Sequence, residues 1–201
     1  MSNVMQKGQL YGTISLDTIQ QPNLYGLGPV EYLAGEITIA DGKAYTSRVV
    51  SPIAMEVEET YNLKAPFFVY SRVDDWKEYT LPDSVTDIET LERHLYNISR
   101  NAKRPFAFKL EGVVQSAKIH IVDLPPGTKV NKPADAQKGK TYYPVKNMHA
   151  DIIGFFSTEH QTLFTHHDRY IHIHLLSKDR KTMGHIDDLL LNNGLKLYLP
   201  F

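Results

Sequence analysis

Helical periodicity appears in one stretch of this chain. In SVTDIETLERHLYNISRNAK, Val85, Ile88, Leu91, Leu95 and Ile98 recur at intervals of three and four, the spacing that lines one face of a helix with apolar side chains. Thr86 and Glu89 stand at capping-box spacing, so a helix is expected near residues 86–101. The rest reads as short alternating or apolar runs: GQLYGTISL, EYLAGEITIADGKAYTSRVV, APFFVYSRV and WKEYTL before the helix, then RPFAFKLEG, VVQSAKIHIVDL, NMHADIIGFFS, RYIHIHLLS, GHIDDLLL and GLKLYLP after it. Ala40–Gly42 (ADG) is a hairpin turn signal, and a second hairpin is expected around Glu111 and Gly112. The stretch from Leu124 to Thr141, with three prolines, two glycines and four lysines, reads as an exposed loop or linker. One helix among about ten strands gives an α+β, predominantly β chain.

At 201 residues and 42% hydrophobic content, the chain is long enough to bury one substantial core. Lysine and arginine (22) nearly balance aspartate and glutamate (23). That balance gives no electrostatic reason to expect nucleic acid or an anionic membrane as a partner, and small molecules or proteins are expected instead. No run reaches the length of a membrane span, and the N-terminal MSNVMQKGQLYG lacks the pattern of a secretory signal. A soluble, cytoplasmic protein is the expectation. There are no cysteines, which removes disulfides, thiolate metal sites and cysteine nucleophiles together. No glycine-rich nucleotide loop, dinucleotide fingerprint or Gly-x-Ser-x-Gly elbow is present.

The chemistry-bearing feature is YIHIHLLSKDRKTMGH. If YIHIHLL is a strand, His172 and His174 share a face while Ile171, Ile173 and Leu175 occupy the other. Their backbones lie roughly 7 Å apart along the strand, within reach of one ion. A polar turn follows, and an antiparallel return strand brings His185 alongside. Three imidazoles with an open position match the donor set of a catalytic zinc site, although imidazole suits other first-row metals as well. A pair of histidines on the wet face of a strand is the alternative. His94, His149, His160, His166 and His167 are read as surface residues, and Phe67, Phe68, Phe106, Phe108, Phe155 and Phe156 as core.

This region closely resembles the α-acetolactate decarboxylase family, which has the same two histidine intervals followed by an aspartate. GQLYGTISL, LAGEITIADGKAY, PFFVY, RPFAFKLEG and DIIGFFSTE are similar to family segments in the same order, so the resemblance runs from Gly8 to Pro200. It implies one domain over residues 1–201, built from two related α+β subdomains with mixed β-sheets, approximately 1–112 and 113–201. It implies zinc at His172, His174 and His185, and a metal-adjacent carboxylate at Glu36. It implies conversion of a 2-hydroxy-3-oxo acid, 2-acetolactate, to acetoin and CO2 by a homodimer with no organic cofactor. Two departures accompany it. His120 stands where the family carries an active-site arginine, with Lys118 on the same strand face as an alternative cation. The chain ends at LKLYLPF, which leaves a C-terminal family glutamate without a counterpart. His120 is therefore expected as the proton donor. A zinc-dependent ester hydrolase and an inactive homologue that binds metal or a small acid are the other readings.

Overall fold

The computed structural model describes Val4, residues 7–161, Thr165 and residues 169–201. His166 and His167 lie outside these described residues. Two antiparallel sheets organise the chain, and it is mostly β with few helices. The first contains β2 (Leu24–Pro29), β3 (Glu36–Ala40), β4 (Lys43–Ser51), β5 (Ala54–Glu59) and β7 (Val69–Arg72), in the order β5-β4-β3-β2-β7. Short strands β1 (Ile14–Ser15) and β6 (Lys64–Ala65) pair separately. The expected ADG turn joins β3 to β4, with Asp41 and Gly42 both at positive φ (51° and 71°), as a tight two-residue hairpin requires.

The second sheet contains β8 (Lys77–Thr80), β9 (Phe106–Val122), β10 (Lys140–Phe156), β11 (Ile171–Ser177), β12 (Met183–Leu191) and β13 (Lys196–Leu199), in the order β10-β11-β12-β9-β13-β8. Because β9 and β10 also pair with each other, β9, β10, β11 and β12 form a closed ring of strands. The ladders between these strands are antiparallel, and Gln161 and Thr165 form an isolated parallel bridge.

Three local expectations change. First, no hairpin forms at Glu111–Gly112, where β9 runs straight through as a 17-residue strand. Gly112 faces Ala150 in an unbroken register with β10 and takes φ 150°. A Cβ there would come within 3.0 Å of the Leu195 side chain, so glycine serves close packing rather than a turn. The expected subdomain division at 112/113 falls inside this strand. Second, Leu124–Thr141 is not simply an exposed loop. It holds the short helix α2 (Pro133–Gln137), and Leu124, Val130 and Ala136 pack with Val4, Leu10, Leu33 and Val122.

Third, the long helix α1 covers Ile88–Ile98, and its capping box is Asp87 with Thr90 rather than Thr86 with Glu89. The Thr90 amide donates to Asp87 Oδ1 (2.8 Å), and the Asp87 amide donates to Thr90 Oγ1 (3.0 Å). The start moves because the preceding backbone is committed to β12. The Leu191 amide donates to the Thr86 carbonyl (2.8 Å), and Asp87 bridges Leu190.

In the second sheet, β11 is buried on both faces. Ile171, Ile173, Leu175 and Ile186 turn toward the core under α1, with Leu91, Leu95 and Phe108. Leu176, Met183, Ile153 and Phe155 turn toward the first sheet and meet Tyr25, Leu27 and Tyr45. Each fully buried aliphatic side chain contributes about 1.5–3 kcal/mol. The histidines at alternate positions of β11 therefore face the first sheet. Asp87→Ala is expected to lower stability by about 1 kcal/mol, read as a shifted urea midpoint with an unchanged slope. No shift would mean that the bridge to β12, rather than the cap, holds the start of α1.

Candidate metal centre

Strand register brings the histidines together. On β12, His185 lies opposite His174 of β11 on one side and opposite His120 of β9 on the other. His172 sits one alternation away from His174, on the same face. The ligand atoms of His172, His174 and His185 all lie within 4.8 Å of one another, and the Nε2 atoms of His172 and His174 are 3.2 Å apart. His174 is fully buried, His172 is 7% exposed and His185 is half-buried. The solvent-facing reading of the pair therefore fails.

Thr38, the third residue of β3, places its Oγ1 2.9 Å from His174 Nδ1. A hydroxyl at Nδ1 fixes the ring and leaves Nε2 directed into the cluster, the role outer-shell partners play for metal-binding imidazoles. Burial, followed by the neighbouring His172 and His120 rings, pushes the His174 pKa well below its ordinary value. The ring is thus neutral near pH 7, as a ligand must be. Three closely spaced imidazoles, of which His174 is neutral, buried and already oriented by Thr38, fit a first-row transition-metal ion.

Glu36 opens β3 against this cluster. Its Oε1 accepts from the Val122 amide at 3.3 Å, its Oε2 is 3.8 Å from His174 Nε2, and its Oε1 is 4.0 Å from His120 Nε2. Burial raises its pKa to about 8, opposed by the Val122 amide and the Lys140 ammonium and reinforced by Asp187. A carboxylate this deep ionises readily only beside a compensating cation.

His120 joins the cluster from β9. Its Nδ1 is 2.5 Å from Asp187 Oδ2, its ring centroid is 4.7 Å from that of His185, and it is 4% exposed. Asp187 reaches it from an irregularity in the β12–β9 register between Ile186 and Asp188, an extra residue of the kind that re-aims a side chain. Lys118, by contrast, is exposed at the rim, with its ammonium 4.1 Å from the Tyr142 ring centroid. Lys140 supplies a nearer positive charge: its Nζ is 3.8 Å from Asp187 Oδ1, and its ammonium acts on Glu36 as well.

Lys140, Asp187 and Thr38 were absent from the expected set. Thr38 carried a signal, since it shares the alternation face of Glu36 on one strand. Lys140 was masked by its place in a proline- and lysine-rich stretch. The other described histidines stay out of the centre: His94 is half-buried on α1, His149 is exposed on β10, and His160 Nδ1 lies 2.7 Å from Ser157 Oγ.

The fold and this donor set define a mostly β protein with a buried imidazole-rich centre. The family model for alpha-acetolactate decarboxylase matches residues 1–198, and the chain belongs to that family. It is 24% identical over 193 residues to the alpha-acetolactate decarboxylase of Lactococcus lactis subsp. cremoris, a match covering 94% of this chain and 77% of that protein. It is 25% identical over 196 residues to the Brevibacillus brevis protein of the same name, covering 96% of this chain and 65% of the other. The crystal structure of acetolactate decarboxylase from Bacillus subtilis subspecies spizizenii superposes with a TM-score of 0.80 at 20% identity, covering 99% of this chain and 82% of that one. A Staphylococcus aureus protein of unknown function, similar to alpha-acetolactate decarboxylase, gives 0.74 at 18% identity, covering 95% and 78%. At these identities the superpositions establish the fold.

Two tests follow. Thr38→Val is expected to weaken divalent-metal binding by about 10–100-fold, read with zinc against a colorimetric chelator; unchanged affinity would remove Thr38 from the centre. In metal-free protein, Glu36 keeps a proton that the unfolded chain has already released at any pH between its ordinary value of 4.5 and about 8. Its contribution to stability therefore falls as pH rises through that window. Above pH 6.5, the ordinary value for His174, that histidine adds no opposing slope. Under chelation, Glu36→Gln is expected to flatten the decline of the urea midpoint from pH 6.5 to 8. A variant that declined as steeply as wild type would refute this.

Proposed function

We propose that this protein is a metal-dependent carboxy-lyase that converts 2-acetolactate, or a close 2-hydroxy-3-oxo acid, to acetoin and CO2. In this reading zinc is held by His172, His174 and His185, and the enzyme works as a cytoplasmic homodimer. The observation that carries the reading is the convergence of three imidazoles within 4.8 Å, next to the buried carboxyl of Glu36, in a chain of the alpha-acetolactate decarboxylase family. Edge strands β5, β7 and β8 each leave one side without a ladder partner among the described residues, which supports self-association.

The reaction breaks the bond between the carboxylate and its tertiary carbon. The electron pair left behind delocalises into the neighbouring ketone, and one proton returns to carbon, so acetolactate anion plus a proton gives acetoin and CO2. A bound ion supplies Lewis-acid polarisation of the substrate oxygens. The chain's own residues supply the rest. Thr38 holds the His174 ring in one orientation. Glu36, shielded from water, accepts or returns the hydroxyl proton. His120 lies between two carboxyls, with Nδ1 bonded to Asp187 and Nε2 facing Glu36, which suits delivery of the carbon-bound proton. Lys140 offsets the charge of the two carboxylates, and Lys118 at the rim attracts the incoming acid.

The test pairs elemental analysis with acetoin formation from racemic acetolactate, with and without chelator, in one preparation. Near-stoichiometric zinc with chelator-sensitive acetoin is expected. His120→Ala should retain the metal and lose about 100-fold or more in turnover. Ester turnover without acetoin would replace decarboxylation by hydrolysis, and bound metal with neither activity would leave a binding protein.

A further inference from the structure

The ladder between β11 and β12 holds only three pairs, His174–His185, Leu175–Gly184 and Leu176–Met183. Beyond His174, toward the start of β11, the strands are no longer paired. A cavity of about 200 Å³ occupies the gap, lined by Ile88, Arg169, Ile171, Ile173, His185, Ile186 and Asp187. Four isoleucines form the apolar part of its wall, and the polar part comes from the other three residues. His185 and Asp187 connect one end to the histidine cluster, and the guanidinium of Arg169 supplies the remaining polar function.

The charges in this cavity are not equivalent. Asp187 already faces His120 on one oxygen and Lys140 on the other. Arg169, half-buried just before β11, forms no hydrogen bond or ion pair among the described residues. A guanidinium offers a planar pair of donors matched to the two oxygens of a carboxylate. The combination is a small chamber walled in part by isoleucines, with one guanidinium unpaired among the described residues and a histidine of the candidate metal centre.

We infer that Arg169 receives the carboxylate of a small branched 2-hydroxy acid whose alkyl groups contact Ile88, Ile171, Ile173 and Ile186. This rests on the decarboxylase reading and adds to it the residue that selects and orients the acid. Anchored at Arg169, the acid presents its hydroxyl and keto oxygens toward His185.

The probes are 2-hydroxy-2-methylpropanoate and its uncharged amide, titrated calorimetrically into metal-loaded wild type, Arg169→Ala and Arg169→Lys. KM and kcat for acetoin formation are measured alongside. Wild type is expected to prefer the acid. Arg169→Ala should lose that preference and raise KM by about tenfold to a hundredfold, with a smaller change in kcat and unchanged metal content. Arg169→Lys should restore part of the preference, which also guards against misreading a folding defect in the alanine variant. If wild type makes acetoin while Arg169→Ala keeps both its KM and its preference for the acid, this inference alone falls. If wild type binds neither probe and makes no acetoin, the decarboxylase reading falls and takes this one with it.

Discussion

The row His174–His185–His120 across three adjacent strands is the constraint on which the site depends. Side chains alternate along a strand, so a slip of one residue in either ladder would turn His185 to the opposite face. Closure of β9 to β12 into a ring leaves neither ladder free to slip, because β10 holds β9 in one register along 17 residues of each strand and holds β11 on its other edge. Gly184 tightens the arrangement. A Cβ at that position would stand 2.7 Å from the His120 carbonyl oxygen, so a larger residue would force β12 away from β9 at the point where their histidines meet.

The second sheet supplies the nitrogens, and the first supplies what conditions them. β3 contributes both Glu36 and Thr38 from one face, two residues apart, against the buried side of β11. Burial acts oppositely on the two group types: it holds the His174 ring neutral and the Glu36 carboxyl protonated. Each shift removes a charge that the interior would otherwise have to accommodate. A divalent cation would reverse the second while exploiting the first, so the metal-free centre is poised for loading with release of a proton.

Much of this was legible in the residues. The alternation of His172 and His174, the return of His185 and the ADG turn follow from period and turn chemistry alone. Glu36 and His120 were reached only through family resemblance, since an isolated glutamate on a strand gives no sign of what lies opposite. Three features were misread for physical reasons. Gly112 looked like a turn because glycine's permissiveness and its small size leave the same mark in a sequence. The capping box was displaced by one residue because β12 holds Thr86 and Asp87 extended, an interaction between positions about a hundred apart. Lys140 lay in a segment whose composition described its first residues and not its last, where β10 begins.

Access to the centre follows from the same geometry that builds it. A continuous β11–β12 ladder would seal His185 between two cores, one under α1 and one between the sheets. Pairing instead stops at His174 and His185, and the register irregularity at Asp187 turns that carboxyl toward His120. The gap is roofed by Ile88, the first residue of α1, whose position is set by the Asp87 cap and the backbone bonds to Leu190 and Leu191. The one strongly periodic helix in the sequence thus does more than cover a core. Its start fixes one wall of the chamber beside the histidines, and chamber and centre are shaped together by where β12 is allowed to pair.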